Sequence, residues 1–279
     1  MKSINIFVAS HKPTLNRGDQ NFKLLQVGAS LHPDVHIEDA IKDNENKDNI
    51  SSKNNIYCEL TGLYYIWKSI ENVDYVGLCH YRRYFAKKDI VTKHPEKYIL
   101  SSEQMANDLQ DYDIILPVKC RKNGTNKGFF TNPVDVQQFC TYRNIIPAIK
   151  DLYPDYVDSY YEEFFRNEMS YGNMMVCSKT LCNDYCKFLF DILFNSEKRW
   201  LNSGIDVAPR EMGYISEYLL NTWVRKNKLK VKYYPVIFIA DVNKLGFKVH
   251  NILQKLGLNN IIGPYLDIIY RKYITHKDY

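Results

Sequence analysis

No apolar run in this 279-residue sequence approaches the roughly 20 residues that a membrane-spanning helix needs, so any membrane contact read from it is peripheral. Both glycine-rich phosphate cradles are missing. There is no G-x-G-x-x-G and no G-x-x-x-x-G-K-[ST], which removes the dinucleotide fingerprint and the P-loop. Asp-x-Asp occurs as Asp111-Tyr-Asp113, but ahead of its strand instead of at its end. Metal-bridged nucleotide binding therefore lacks its usual carboxylates.

Cysteine is present without a framework. The seven thiols (Cys58, Cys79, Cys120, Cys140, Cys177, Cys182, Cys186) are an odd number, and no secretory leader precedes the first strand, so the expectation is a cytoplasmic chain with reduced thiols. Cys182 and Cys186 lie four apart on a predicted helix, but a zinc site needs a second ligand pair that the sequence does not offer. Charge of one sign is also scarce: 37 Lys and Arg oppose 32 Asp and Glu. That excess is too small for duplex nucleic acid, and no nucleic-acid partner is expected. It suits an anionic small ligand or membrane surface.

What is present is an α/β alternation. Ile4 to Ala9 reads as a strand, Tyr57 to Ile70 as a helix with Leu60, Leu63, Tyr64 and Trp67 at helical spacing, and Val73 to Cys79 as a second strand. Asp113 to Pro117, Tyr171 to Cys177 and Val231 to Ile239 read as further strands; Lys179 to Phe194 and Glu211 to Arg225 read as amphipathic helices. Between Val134 and Asn167 the chain reads as helical with a boundary at Pro154. Leu15 to Asn55 is polar, rich in Asn and Asp, and reads as loop.

Polar residues follow the strands at their carboxyl ends, where open α/β sheets bind ligands. Ser10-His11-Lys12 follows the first strand, and His80-Tyr81-Arg82-Arg83 follows the second. Arginine forks match phosphate oxygens bidentately, so Arg82 and Arg83 beside His80 are candidates for a diphosphate site. Neighbours on an extended backbone face opposite ways, so one arginine can meet a ligand while the other pairs inside the domain. Arg210 and Glu217 fall about two turns apart. Glu217 there is either a general base or a surface carboxylate. Glu59 is a second candidate base, with helix capping as its alternative role.

The blocks Asp48-Asn-Ile-Ser51, Tyr57-Cys-Glu-Leu-Thr61 and Asp74-Tyr-Val-Gly-Leu-Cys-His-Tyr-Arg-Arg-Tyr-Phe85, with Gly172-Asn-Met-Met175 and Gly213-Tyr-Ile-Ser-Glu217, resemble the bacterial capsule and exopolysaccharide glycosyltransferases long catalogued as a domain of unknown function. The resemblance covers roughly the first 240 residues. It implies a GT-A-like fold, a single α/β nucleotide-sugar-binding domain over residues 1–243 with a mixed, mostly parallel sheet flanked by helices. It also implies transfer of galactose or galactofuranose from a UDP-sugar to a lipid-linked oligosaccharide in capsule, O-antigen or exopolysaccharide synthesis.

In that frame Ser10, His11, Lys12, Asp48, Asn49, Glu59 and Tyr81 are expected to bind donor, and Tyr171, Asn173 and Arg210 to bind acceptor. His80, Arg82 and Arg83 are expected to stabilise the leaving diphosphate, with Glu217 as base. Inverting transfer without a metal cofactor is expected, the alternatives being a retaining or a metal-dependent (Mn2+ or Mg2+) transferase, or a non-catalytic sugar-nucleotide-binding accessory protein of polysaccharide assembly. The sequence departs from the family pattern at Gly62, Tyr218 and the loop from Lys119 to Asn132. The tail, residues 244–279, is basic and interleaved with Ile and Leu, which fits either a peripheral contact with the inner face of the plasma membrane or a helix packed on the core.

Overall fold

Near-continuous burial along the strands marks the centre of the molecule. The protein is described by a computed structural model covering residues 2–89, 94–121, 144–166 and 168–239. Its strands are β1 (Ile4–Ser10), β2 (Phe22–Gln26), β3 (Ile41–Lys42), β4 (Tyr75–His80), β5 (Arg83–Phe85), β6 (Ile114–Pro117), β7 (Cys120–Arg121), β8 (Glu168–Met169), β9 (Met175–Ser178), β10 (Val231–Tyr234) and β11 (Val236–Phe238). The helices are α1 (Asn54–Tyr57), α2 (Leu60–Ser69), α3 (Ser102–Asp108), α4 (Ile146–Leu152), α5 (Val157–Phe165), α6 (Lys179–Asn202) and α7 (Glu211–Lys226).

The main sheet runs β10-β6-β9-β4-β1-β2-β3, with β5 joined to β4 and β11 joined to β5. β1 pairs in parallel with β2 and β4, β2 with β3, and β6 with β10. β9 is inserted antiparallel between β4 and β6. The mixed, mostly parallel sheet flanked by helices is thus as the sequence led one to expect.

Both faces of the sheet are covered, which is why its strands are near-continuous apolar runs. Phe7, Leu25, Val76, Leu78 and Ile114 pack with Leu60 and Leu63 of α2, Leu189 and Leu193 of α6, and Ile215 and Leu219 of α7. Ile6, Val8, Leu24, Cys79, Ile115 and Val176 face the other way, onto Met105 of α3, Leu109 just after it, and Tyr84 and Phe85 of β5. Each such side chain contributes about 1.5–3 kcal/mol when fully buried. α6 is started by Ser178, whose hydroxyl accepts the Leu181 N–H at 3.1 Å.

Four local expectations are corrected. The helix expected from Tyr57 to Ile70 is two helices, because Cys58 takes φ +51 and stops α1. The Asn54 side-chain amide holds that break by donating to the Cys58 carbonyl at 2.6 Å and the Thr61 hydroxyl at 3.0 Å. The polar stretch from Leu15 to Asn55 contains β2 and β3. The loop after β2 is folded around buried Asp43, whose carboxylate accepts the N–H groups of Gly28 at 2.7 Å and Ala29 at 3.1 Å. The strand expected over Val231 to Ile239 divides at Pro235, which has no N–H for a ladder. The strand expected from Tyr171 begins only at Met175, since Gly172 and Asn173 adopt φ +87 and +51 and form a turn. The tail lies outside the described residues, as do Cys140 and most of the Lys119 to Asn132 loop.

Candidate active site

Register brings three strand ends together. Ala9 pairs with His80 across β1 and β4, and the Tyr81 N–H donates to the Ala9 carbonyl at 3.1 Å, so His11 must lie beside Tyr81. Their rings meet edge to face at 5.7 Å. Because β9 is antiparallel to β4, with Leu78 opposite Met175, the residues just before β9 run back along the carboxyl end of β4. Gly172 therefore reaches His80, whose Nε2 lies 2.6 Å from the Gly172 carbonyl oxygen.

The first half of the site is cationic. Lys12 Nζ lies 5.7 Å and the Arg82 guanidinium carbon 5.1 Å from the Tyr81 ring centroid. Partial burial of the His11 ring, then Lys12, His32, Arg82 and Arg210, depress its pKa from the ordinary histidine value. These groups come from four segments: the loops after β1, β2 and β4, and the residue preceding α7. Lys12, Arg82 and Arg210 among them are cations, and such a field is one a polyanionic ligand would neutralise.

The second half is acidic and more enclosed. Glu217 Oε1 accepts the Gly172 N–H at 2.6 Å. Burial raises its pKa to about 8; Glu59 adds to the rise, while the Gly172 hydrogen bond, Arg83 and Arg210 oppose it. Burial also lowers the His80 pKa, with Glu59 opposing and Arg83 adding. A carbonyl oxygen only accepts, so the proton of the neutral His80 ring sits on Nε2. Asn173, 3% exposed, donates from Nδ2 to Glu59 Oε1 at 2.7 Å and to the Gly213 carbonyl at 3.0 Å, and its Oδ1 accepts from Ser216 at 2.9 Å. Arg210 hydrogen-bonds the Cys58 sulfur, a thiol that burial and then Glu59 push up to about 12. Burial, Tyr218 and Glu217 raise the pKa of Tyr171, which completes the rim.

The residues singled out from the sequence divide accordingly. His11, Lys12, Tyr81, Arg82, Arg83, His80, Glu59, Tyr171, Asn173, Arg210 and Glu217 converge; Ser10, Asp48 and Asn49 have their polar atoms engaged elsewhere. Ser10 is buried, and its hydroxyl closes a local turn by donating to the Lys12 carbonyl at 2.7 Å. Asp48 accepts from Tyr64 at 2.7 Å and pairs with Lys68 at 3.2 Å, both farther along α2. Asn49 closes its own turn, donating to the Asn46 carbonyl at 2.6 Å. Asn173 is spent on protein partners instead of being offered to an acceptor. The Nε2 proton of His80 is likewise spent on Gly172. The Glu59 side chain caps nothing, since α2 has no side-chain cap hydrogen bond.

Arg82, in the turn after β4, lies by Tyr81 and His11, and Arg83, the first residue of β5, is within electrostatic reach of His80 and Glu217. His32, Cys58, Gly172 and Ser216 were not singled out from the sequence. The Gly-Asn pair is the turn signal that could have marked Gly172.

Among the described residues, no three or more His, Cys, Asp or Glu side chains are grouped so as to hold a metal ion. The carboxyl end of β4 leads into His80-Tyr81-Arg82-Arg83, a run without a carboxylate to ligate a hard divalent cation.

No curated protein matches the chain. The apo structure of WbbM, a bifunctional glycosyltransferase, is similar with a TM-score of 0.70 and 29% identity over 86% of this chain. The match takes in 46% of that protein, so this chain spans under half the length of its structural relative. The family model described as a domain of unknown function, DUF4422, matches residues 5–228, and the chain belongs to that family.

Proposed function

We propose that the chain is an inverting glycosyltransferase that takes a sugar, galactose or galactofuranose being favoured, from a UDP-sugar to a lipid-linked oligosaccharide in capsule, O-antigen or exopolysaccharide synthesis. The observation that carries the reading is the pairing of a part-buried carboxylate, Glu217, which accepts the Gly172 N–H and is held near pKa 8, with Lys12 and Arg82 gathered on the Tyr81 ring beside His11. The likeness to WbbM supports the reaction class; donor and acceptor rest on the family resemblance seen in the sequence.

In this reading Glu217 removes the proton of the acceptor hydroxyl as its oxygen attacks the anomeric carbon. The bond from that carbon to the diphosphate oxygen breaks with its electron pair, and UDP leaves. Lys12, Arg82 and Arg83 meet the charge that develops on the leaving group. Displacement in one step inverts the anomeric centre. Cationic side chains supply the neutralisation, so transfer proceeds without a divalent metal. The reading places the enzyme at the cytoplasmic face of the membrane, held there peripherally by the basic tail. Among the described residues no helix is long and apolar enough to cross a membrane.

Thermal unfolding against a panel of UDP-sugars tests the reading, because a ligand of the folded state present at a hundred times its Kd stabilises it by about 2.7 kcal/mol. Stabilisation by one UDP-sugar and by UDP, followed by UDP release on addition of acceptor, is expected. Stabilisation without turnover would point instead to an accessory binding protein.

A further inference from the structure

A mechanism that uses Glu217 leaves unexplained why a second carboxylate, Glu59, is held at the same site with its own oxygen occupied. Glu59 is tied to the protein itself, its Oε1 accepting the Asn173 amide at 2.7 Å. It does hold a turn. Asn173 is fixed on three sides, by Glu59, by the Gly213 carbonyl and by Ser216, in a left-handed conformation that Asn tolerates better than most residues. Gly172 before it, at φ +87, is a position suited to glycine.

The peptide groups of Gly172 then point to both neighbours, the N–H to Glu217 and the carbonyl to His80, each at 2.6 Å. We propose that Glu59 and Asn173 are positioning residues which, through the Gly172 peptide groups, set the position and protonation state of the Glu217 carboxylate. The inference rests on the reading of Glu217 as the base.

Two opposing influences of the device on Glu217 can be separated. The negative charge of Glu59 disfavours ionisation of Glu217, and the Gly172 N–H favours it. The remaining charged groups acting on Glu217 are Arg83 from β5 and Arg210 from the start of α7, and both favour ionisation. Replacing Glu59 by Gln keeps an oxygen for Asn173 and removes the charge, so Glu217 should ionise at lower pH. Replacing Asn173 by Gly keeps the left-handed backbone accessible and removes the tie, so the Gly172 N–H is released and Glu217 should ionise at higher pH.

The test is a pH titration of the full chain labelled with carbon-13 at the glutamate side-chain carboxyls, with the Glu217 resonance assigned by its loss in Glu217→Gln. It needs no donor, acceptor or turnover, so its outcome is independent of whether the chain transfers sugar. The expected result is a midpoint near 8 in the wild type, lower in Glu59→Gln and higher in Asn173→Gly. If Asn173→Gly fails to fold, Ser216→Ala, which removes one of the three ties, should move the midpoint the same way. A wild-type midpoint in the ordinary carboxylate range would overturn the proposal, as would an unmoved midpoint in folded Glu59→Gln.

Discussion

At the residue scale, Glu217 is the base of the proposed mechanism, and its environment dictates a pH dependence. A base must be ionised to work, and this one titrates near 8, so kcat/KM of the free enzyme should fall by about tenfold per pH unit below that midpoint. Arg210 favours the ionised form; Arg210→Gln should therefore move the acid limb to higher pH, which a pH profile of UDP release checks. The stability sign is fixed as well. A carboxyl whose folded pKa is raised binds more protons folded than unfolded at intermediate pH, so its contribution is full below the ordinary carboxylate range and is lost as pH rises toward about 8. Wild type should accordingly lose more stability than Glu217→Gln between pH 5 and 8, as read by urea unfolding.

Glu217, Arg82 and Arg83 were legible from residue type and from their place after a strand or on a helix. The occupation of Ser10, Asn173 and Glu59 by protein partners was not. Hydrogen-bond partners far apart in sequence, such as Glu59 and Asn173, are set by packing and leave no local pattern.

Among the elements, those with strong periodicity were located from the sequence, although α6 runs on to Asn202 instead of ending at Phe194, and those defined by one backbone angle were not. α6 and α7 have apolar residues at helical spacing over 24 and 16 residues, enough to override noise from any single position. The break at Cys58 depends on one positive φ in a residue that rarely adopts it, and composition gives no warning. β2 was hidden by its polar flanks, although Phe22-Lys-Leu-Leu-Gln26 is itself of strand length. The packing of α2 on β2 explains Gly62, one of the positions that depart from the family pattern. A Cβ there would lie 2.8 Å from Val27 Cγ1 and 2.9 Å from Leu25 Cδ2. Helix propensity favours Gly62→Ala by about 1 kcal/mol, but overpacking costs about 1–3 kcal/mol. A net destabilisation of about 0–2 kcal/mol in urea unfolding is expected, with α2 pushed away from the strand end that carries the site.

For the whole molecule, the sheet order matters more than the number of strands. Insertion of antiparallel β9 beside β4 is what carries the Gly172 turn to His80, and in-register β1 and β4 are what set His11 against Tyr81. Parallel strands could be anticipated from the alternation of strand and helix; the antiparallel direction of β9 could not, since its sequence reads the same either way. The resulting site has cations at its mouth and two carboxylates deeper in. Attraction of an anionic donor by such a mouth weakens as salt rises, because the Debye length shrinks from about 10 Å at 0.1 M to about 3 Å at 1 M. Donor affinity measured by titration calorimetry should therefore fall over that range, while a neutral sugar alone should show no such dependence.

The central claim, that Glu217 and the neighbouring cations transfer sugar from a nucleotide diphosphate without a metal, is tested most directly by UDP release. Wild type and Glu217→Gln would be compared with UDP-galactose and UDP-galactofuranose in EDTA, with and without a lipid-linked oligosaccharide. Acceptor-dependent release by wild type in the chelator is expected, with a loss of at least about a hundredfold in Glu217→Gln and UDP binding retained. Release that requires added Mn2+ or Mg2+, or that survives undiminished in Glu217→Gln, would contradict that claim.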